Sequence, residues 1–213
     1  MTKLQAIIIP VTPFQQNCSL VFDQDTMAGA IVDPGGDVAK IVEAIKQSGV
    51  SIEKILLTHG HIDHAGGAAE LREALGVKIE GPHTEDQFLL DTLPESGAKY
   101  GMLDARTVTP DRWLKEGDQV TVGGLSFAIY EAPGHTPGSV VFFNDENRFA
   151  LVGDVLFQGS VGRTDVPRGS HETLMRSIRD KLLPLGDDVV FLPGHGSPSS
   201  IGDERKNNPF LNE

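Results

Sequence analysis

The sequence predicts an α/β (α+β) fold, and three observations carry the prediction. Short β-rich runs alternate with amphipathic helical stretches through the first third of the chain. From residue 118 onward, successive β-rich runs separated by tight turns read as antiparallel strands. The two halves also share a plan, in which strands lead to a helix and then to a strand ending in a histidine-bearing turn. At 213 residues, 39% hydrophobic and with 24 glycines, the chain can bury a substantial core, and one domain over residues 1–213 is expected.

Each element has a local warrant. Residues 5–9, 19–22 and 29–33 are short and β-rich, bounded by Pro, Asn, Asp and Gly. Asp33-Pro34-Gly35-Gly36-Asp37 is a turn, after which Val38, Ile41, Val42 and Ile45 keep helical spacing until Gly49 ends the helix. Residues 54–57 form a buried strand, 68–75 a helix closed by Gly76, and 77–79 another strand. Residues 81–113, with GPHTEDQ and SGAKYG, are the least regular part, and a short helix and a surface flap are expected there. Strands follow at 119–122, 125–130, 139–143 and 148–152, turning at Gly-Gly and Asn-Asp-Glu-Asn. A helix over 170–183 capped by Ser170 precedes a last strand at 189–192.

Composition narrows the function classes. A formal net charge of -12 argues against nucleic acid, whose phosphates are bound by clustered Lys and Arg, and an anionic substrate would need a local basic spot. The apolar run at residues 6–9 is too short for a signal peptide or a membrane span, and no later segment reaches membrane length. The single cysteine, Cys18, allows no internal disulfide and suits a reducing cytoplasm; its apolar neighbours mark it as a buried strand residue. A cytoplasmic protein, monomeric or weakly oligomeric, acting on a small molecule and with no nucleic-acid or membrane partner is expected.

The chemistry is concentrated in glycine-rich turns at strand ends. Thr58-His59-Gly60-His61-Ile62-Asp63-His64-Ala65-Gly66-Gly67 places three histidines and an aspartate within six positions, a crowd of like groups that needs a cation to hold it together. His135 in Pro133-Gly134-His135-Thr136-Pro137-Gly138, Asp154 in Val152-Gly153-Asp154, and His195 in Leu192-Pro193-Gly194-His195 have the same setting. His59 and His61, two apart, can face one ion, and Asp63 and His64 a second beside it. His135 then completes the first site, His195 the second, and Asp154 bridges, as in dinuclear hydrolytic centres. Two transition-metal ions are therefore expected, zinc first, although the donors suit Fe, Mn or Co equally and do not decide between one occupied site and two. His83 and His171 read as a turn residue and a helix-start residue, and Trp113 and Tyr130 as core or pocket wall.

The stretch THGHIDHAGG resembles the THxHxDH signature of the metallo-β-lactamase superfamily, and His135, Asp154 and His195 fall in the order of its remaining ligands. The resemblance covers nearly the whole chain and implies a four-layer αββα sandwich with the site at the edge of two packed sheets. Asp154 in place of a cysteine looks like the glyoxalase II branch, and GHTPGSVVFF and GDVLFQGSVGRTD are similar to hydroxyacylglutathione hydrolases of the short bacterial type. This implies a metal-dependent thioester hydrolase that cleaves S-D-lactoylglutathione to D-lactate and glutathione, a step of methylglyoxal detoxification. In that family a metal-bridging hydroxide attacks the thioester, and Asp63 would orient the hydroxide besides ligating.

The resemblance departs in two places. Eighteen residues follow His195, where glyoxalase II enzymes usually carry a helical domain whose basic residues hold the glutathione carboxylate. Arg163 keeps the family's cation nine residues after Asp154 and is the expected substrate anchor, but Asp165 and Ser197 stand where tyrosines would be. GRTD and Asn208-Pro209-Phe210-Leu211 are also similar to persulfide dioxygenases. That alternative implies a single iron held by His59, His135 and Asp154, oxidising glutathione persulfide.

Overall fold

The computed structural model describes residues 2–212. Its first half contains β1 (Leu4–Val11), β2 (Gln16–Asp23), β3 (Ala28–Val32), α1 (Val38–Ser48), β4 (Ser51–Leu56), α2 (Ile62–Ala65), α3 (Ala68–Leu75) and β5 (Lys78–Glu80). Two short helices follow, α4 (Gln87–Asp91) and α5 (Leu93–Tyr100). The second half runs β6 (Gln119–Val122), β7 (Leu125–Glu131), β8 (Val140–Asn144), β9 (Phe149–Gly153), β10 (Leu156–Phe157), β11 (Ser160–Val161), α6 (His171–Ser177), β12 (Val190–Pro193), β13 (Ser199–Ser200) and α7 (Ile201–Asn207).

One sheet orders its strands β1-β2-β3-β4-β5 and the other β13-β12-β9-β8-β7-β6, while β10 and β11 form a separate hairpin. Both main sheets are mixed: β3, β4 and β5 are mutually parallel, and β12 is parallel to β9 among otherwise antiparallel neighbours.

Strand alternation sorts the core into three clusters. Ala30, Val32 and Leu56 from the first sheet meet Phe127, Val140, Phe142, Leu151 and Leu192 from the second. Their sequence neighbours Ile31 and Ile55 point the other way, onto Ile41 and Ile45 of α1 and Leu71 of α3. Val141, Phe143, Val152 and Phe191 likewise pack against Leu174 and Met175 of α6 and the following Ile178. A strand with both faces covered must be apolar at consecutive positions, and for this reason residues 29–32 and 140–143 read as continuous buried runs. The layers are thus helices, sheet, sheet, helices, the αββα sandwich.

Topology then decides where the chemistry collects. The carboxyl ends of β3, β4, β7, β9 and β12 all lie at one edge of the sandwich, so the turns carrying Asp33, His59 to His64, His135, Asp154 and His195 converge there.

Some local expectations need correction. Residues 81–113 are more ordered than their turn-rich composition suggests, holding a 3-10 turn at Thr84–Asp86 besides α4 and α5. The helix expected over 170–183 is α-helical only to Ser177, then widens through Ile178–Leu182 and tightens at Leu183–Leu185 before Gly186. Asp63 and His64 lie on the single turn of α2, not in open loop. Tyr130 and Trp113 pack against the core clusters, as expected.

Candidate metal centre

Seven side chains assemble at the sandwich edge as two groups of donors. His59, His61 and His135 form one, with His59 Nε2 3.1 Å from His61 Nδ1 and His61 Nδ1 2.9 Å from His135 Nε2. Asp63, His64 and His195 form the other, with Asp63 Oδ2 3.0 Å from His195 Nε2 and 3.8 Å from His64 Nε2. Asp154 stands between them. Its Oδ1 lies 3.3 Å from His64 Nε2, and its Oδ2 lies 3.6 Å from His135 Nε2 and 3.7 Å from His195 Nε2.

The far side of each buried ring is already committed. His135 Nδ1 donates to the carbonyl of Arg163 at 2.8 Å, and His64 Nδ1 bonds Asp33 Oδ2 at 2.9 Å. The Thr58 hydroxyl donates to Asp33 Oδ2 at 2.6 Å, which leaves it to accept from His59 Nδ1 at 3.1 Å. These bonds set the tautomers, so His59 and His135 turn proton-free Nε2 atoms toward each other and toward His61. His61 Nδ1 has at most one proton to offer the two, so at least one contact sets lone pair against lone pair. His64 Nε2 and Asp154 Oδ1 are buried and make no hydrogen bond. Orphaned buried polar atoms and converging lone pairs are what a cation relieves, so the donor set fits transition-metal ions.

Electrostatics separates the two groups. Burial, reinforced by the neighbouring imidazoles, pushes His59 well below the ordinary histidine value and His61 down to about 3. Burial acts the same way on His64, but the carboxylates of Asp154, Asp63 and Asp33 outweigh it and raise the ring well above its ordinary value. His195 also rises against its burial, chiefly through its bond to Asp63. His59 and His61 are therefore neutral and ready to ligate, whereas His64 and His195 must give up protons.

A pH prediction follows. In protein stripped by a chelator, the stability contributed by protonated His64 is fully present below about pH 6.5 and is lost as pH rises through the raised folded value. An ion has to displace that proton, so its binding weakens as pH falls. The zinc-induced rise in thermal unfolding midpoint should grow as pH rises above about 6.5, the ordinary histidine value. A rise independent of pH would remove His64 from the ligands.

Supporting residues outside the histidine motifs hold this geometry. Asp33, in the left-handed region at φ 53, gathers Thr58 N, Thr58 Oγ1 and His64 Nδ1 on its carboxylate. Asp86, fully buried, accepts from Gly60 N, Thr136 Oγ1 and Gly138 N and so ties the His59–His61 turn to the His135 turn. Asn17 binds the carbonyls of Pro193 and Gly196 on either side of His195. Gly194 has no room for a side chain, since a Cβ there would lie 2.2 Å from Asp154 Oδ1 and 2.5 Å from His64 Cε1. Asp33 had a sequence signal, the same strand-end setting as Asp154; Asp86 and Asn17 had none.

The centre opens into a cleft of about 620 Å³ bordered by Phe14, Tyr100, Lys99 and Arg163. Arg163 is at the expected place, but its guanidinium is engaged: Nε and Nη2 donate to Asp165 Oδ1 and Oδ2 at 2.8 and 2.9 Å. His83 caps the 3-10 turn by accepting from Glu85 N and does not border the cleft.

Residues 11–195 match the family model of the metallo-beta-lactamase superfamily. The chain belongs to that superfamily. Among curated members it is 48% identical over 206 residues to hydroxyacylglutathione hydrolase GloC of Haemophilus influenzae, spanning 96% of this chain and 97% of the relative. Among solved members it is similar to the B3 metallo-beta-lactamase BLEG-1, with TM-score 0.90 and 34% identity over 98% of this chain and 100% of that one. TTHA1623 in a di-iron-bound form superposes with TM-score 0.87 at 34% identity, covering 96% of this chain and 100% of that one. Superfamily membership agrees with the αββα layers and with donors gathered at one sandwich edge.

Proposed function

We propose that this protein is a metal-dependent hydrolase of glutathione thioesters, with S-D-lactoylglutathione its expected substrate and D-lactate and glutathione its products. The observation that carries the reading is the second donor group: Asp63, His64 and His195 converge beside the histidine group, with Asp154 reaching toward both. A single-iron dioxygenase using His59, His135 and Asp154 would leave that second group without a task. The 48% relative, named a hydroxyacylglutathione hydrolase, supports the same substrate class.

The residues proposed to hold two ions are His59, His61 and His135 for one and Asp63, His64 and His195 for the other, with Asp154 between. When bound, such ions supply Lewis acidity and lower the pKa of water for attack on a carbonyl. The chain supplies the rest. Asp63 turns Oδ2 toward the second donor group, 3.0 Å from His195 Nε2, and its carboxyl lies below the ordinary carboxylate range, drawn down by His64 and His195 against the effect of burial. Its Oδ1 is then free to accept a hydrogen bond from the attacking water and orient it. The Arg163 carbonyl and Asp33 hold the rings of His135 and His64, so the donors do not reorganise as charge develops. Phe14 and Tyr100 border the same cleft.

The reading extends to one domain over residues 1–213, acting in the cytoplasm. Cys18 suits that role because burial raises its thiol well above its ordinary value and leaves it unreactive. No helix among the described residues is long and apolar enough to cross a membrane.

The test runs two assays on zinc- or iron-loaded protein. S-D-lactoylglutathione should release free thiol with no oxygen consumed, and glutathione persulfide should give no oxygen uptake. Oxygen uptake with the persulfide and no thioester cleavage would replace the hydrolase by the dioxygenase.

A further inference from the structure

A glutathione thioester carries two carboxylates against one ammonium, and it approaches a chain of formal net charge -12 with Asp63 and Asp154 in the centre. A local positive charge has to receive it. Arg163 is poorly placed to do so alone. Asp165 takes the Nε–Nη2 edge of its guanidinium, and the two charges offset each other beside the cleft.

Lys99 is different. It borders the cleft from the last turn of α5, and among the described residues its ammonium has no hydrogen-bond or ion-pair partner. Beside it, Tyr100 meets Phe14 of the β1–β2 turn edge to face, ring centroids 5.2 Å apart at 77°. These rings are 54% and 41% exposed, two of the few large apolar side chains left at the surface, and they meet at the mouth of the cleft. The wall they form is anchored. At Gly97 of α5 a Cβ would stand 2.4 Å from the Met102 carbonyl, so the helix end is packed tightly onto the segment after it.

None of the described residues after His195 borders the cleft. Asn208 instead reaches the carbonyls of Phe157 and Ser160 and bonds Glu204.

We propose that Lys99, with the Tyr100–Phe14 platform beside it, is the subsite that takes a carboxylate of the glutathione moiety. The inference rests on the hydrolase reading for its substrate class. The aromatic pair offers an apolar face to the tripeptide backbone, and the flexible lysine stem brings a point charge to the carboxylate. Lys99 is thus a specificity residue; it takes no part in bond cleavage.

The probe is S-hexylglutathione, a thioether that cannot be hydrolysed, titrated calorimetrically into metal-loaded protein. Lys99→Ala should weaken binding about tenfold, the effect of losing one charge-assisted hydrogen bond at a partly exposed site. Lys99→Arg should stay within about threefold of wild type. The diethyl ester of the probe, which has no carboxylates, should not distinguish wild type from Lys99→Ala. In turnover, Lys99→Ala should raise KM and leave kcat unchanged. Lys99 is exposed, so unchanged unfolding midpoints will show that the variants fold.

Equal binding by wild type and Lys99→Ala, an equal loss on the diester, or no binding of S-hexylglutathione by wild type each overturns the subsite. Thioester cleavage with Lys99-independent binding would overturn the subsite and leave the hydrolase standing. Lys99-dependent binding without thioester cleavage would overturn the hydrolase and leave the subsite standing.

Discussion

Asp154→Ala protein is expected to retain at most one transition-metal ion and to lose about a thousandfold or more in kcat for thioester hydrolysis. Among the described residues Asp154 is the one carboxylate within 3.7 Å of donors from both groups, at His64, His135 and His195. Removing it leaves His64 Nε2 facing a hole and takes away the charge that keeps His64 and His195 attractive to a cation. Its carboxyl is held far below the ordinary range by His64, His135 and His195 even though burial acts the other way, so it is present as an anion at any physiological pH. Metal content by elemental analysis, read beside thiol release, checks the prediction. Two bound ions with undiminished turnover would sink the bridging role.

Asp86→Ala is expected to destabilise the protein by about 3–5 kcal/mol, a large part of the total stability of a domain. Asp86 is fully buried and touches no donor of the metal centre through a hydrogen bond, yet three donors end on it: Gly60 N at 2.9 Å, Thr136 Oγ1 at 2.8 Å and Gly138 N at 2.6 Å. A buried donor left without a partner costs about 1–3 kcal/mol, and these three flank His59, His61 and His135. Asp86→Asn should do little better, because its amide nitrogen would face N–H groups. Burial raises this carboxyl above the ordinary value despite its three bonds. The native state therefore takes up the Asp86 proton more readily than the unfolded chain, and acid does not unfold the protein through this residue. Urea unfolding measures the effect, with metal affinity falling alongside; a loss below about 1 kcal/mol would show that the turns hold their geometry without it.

Both variants touch features of unequal visibility. Asp154 could be read from the sequence because it sits, like His135 and His195, in a Gly-marked turn after an apolar run. Asp86 could not, because nothing in GPHTEDQ distinguishes a buried anchor from a surface acid; only the folding of residues 81–100 under the His135 turn buries it. Arg163 is a case between the two. Its position was legible, but the neutralising fork with Asp165 is a rotamer choice of two side chains at separation two.

The strands were legible where alternation or continuous burial was strong, as at residues 29–32 and 140–143. Two-residue strands such as β10, β11 and β13 were not, since so short a run has no period. The late helix α7 was also missed: Ile201 buries in the cluster that holds Leu174 and Met175 of α6, but IGDERKN shows no apolar stripe.

By itself the sequence determined the types of candidate donor, their spacing within THGHIDH, and the superfamily to which the chain belongs. These are local facts, set by which atoms the side chains carry and how few residues separate them. Only the tertiary structure decided which nitrogen of each ring faces inward, that Asp165 takes one edge of Arg163 while Lys99 has no partner among the described residues, and that Asp33 and Asp86 hold the turns. Those outcomes depend on contacts between strand ends far apart in the chain, and their geometry exists only once two sheets have packed and brought five carboxyl-terminal edges to one side.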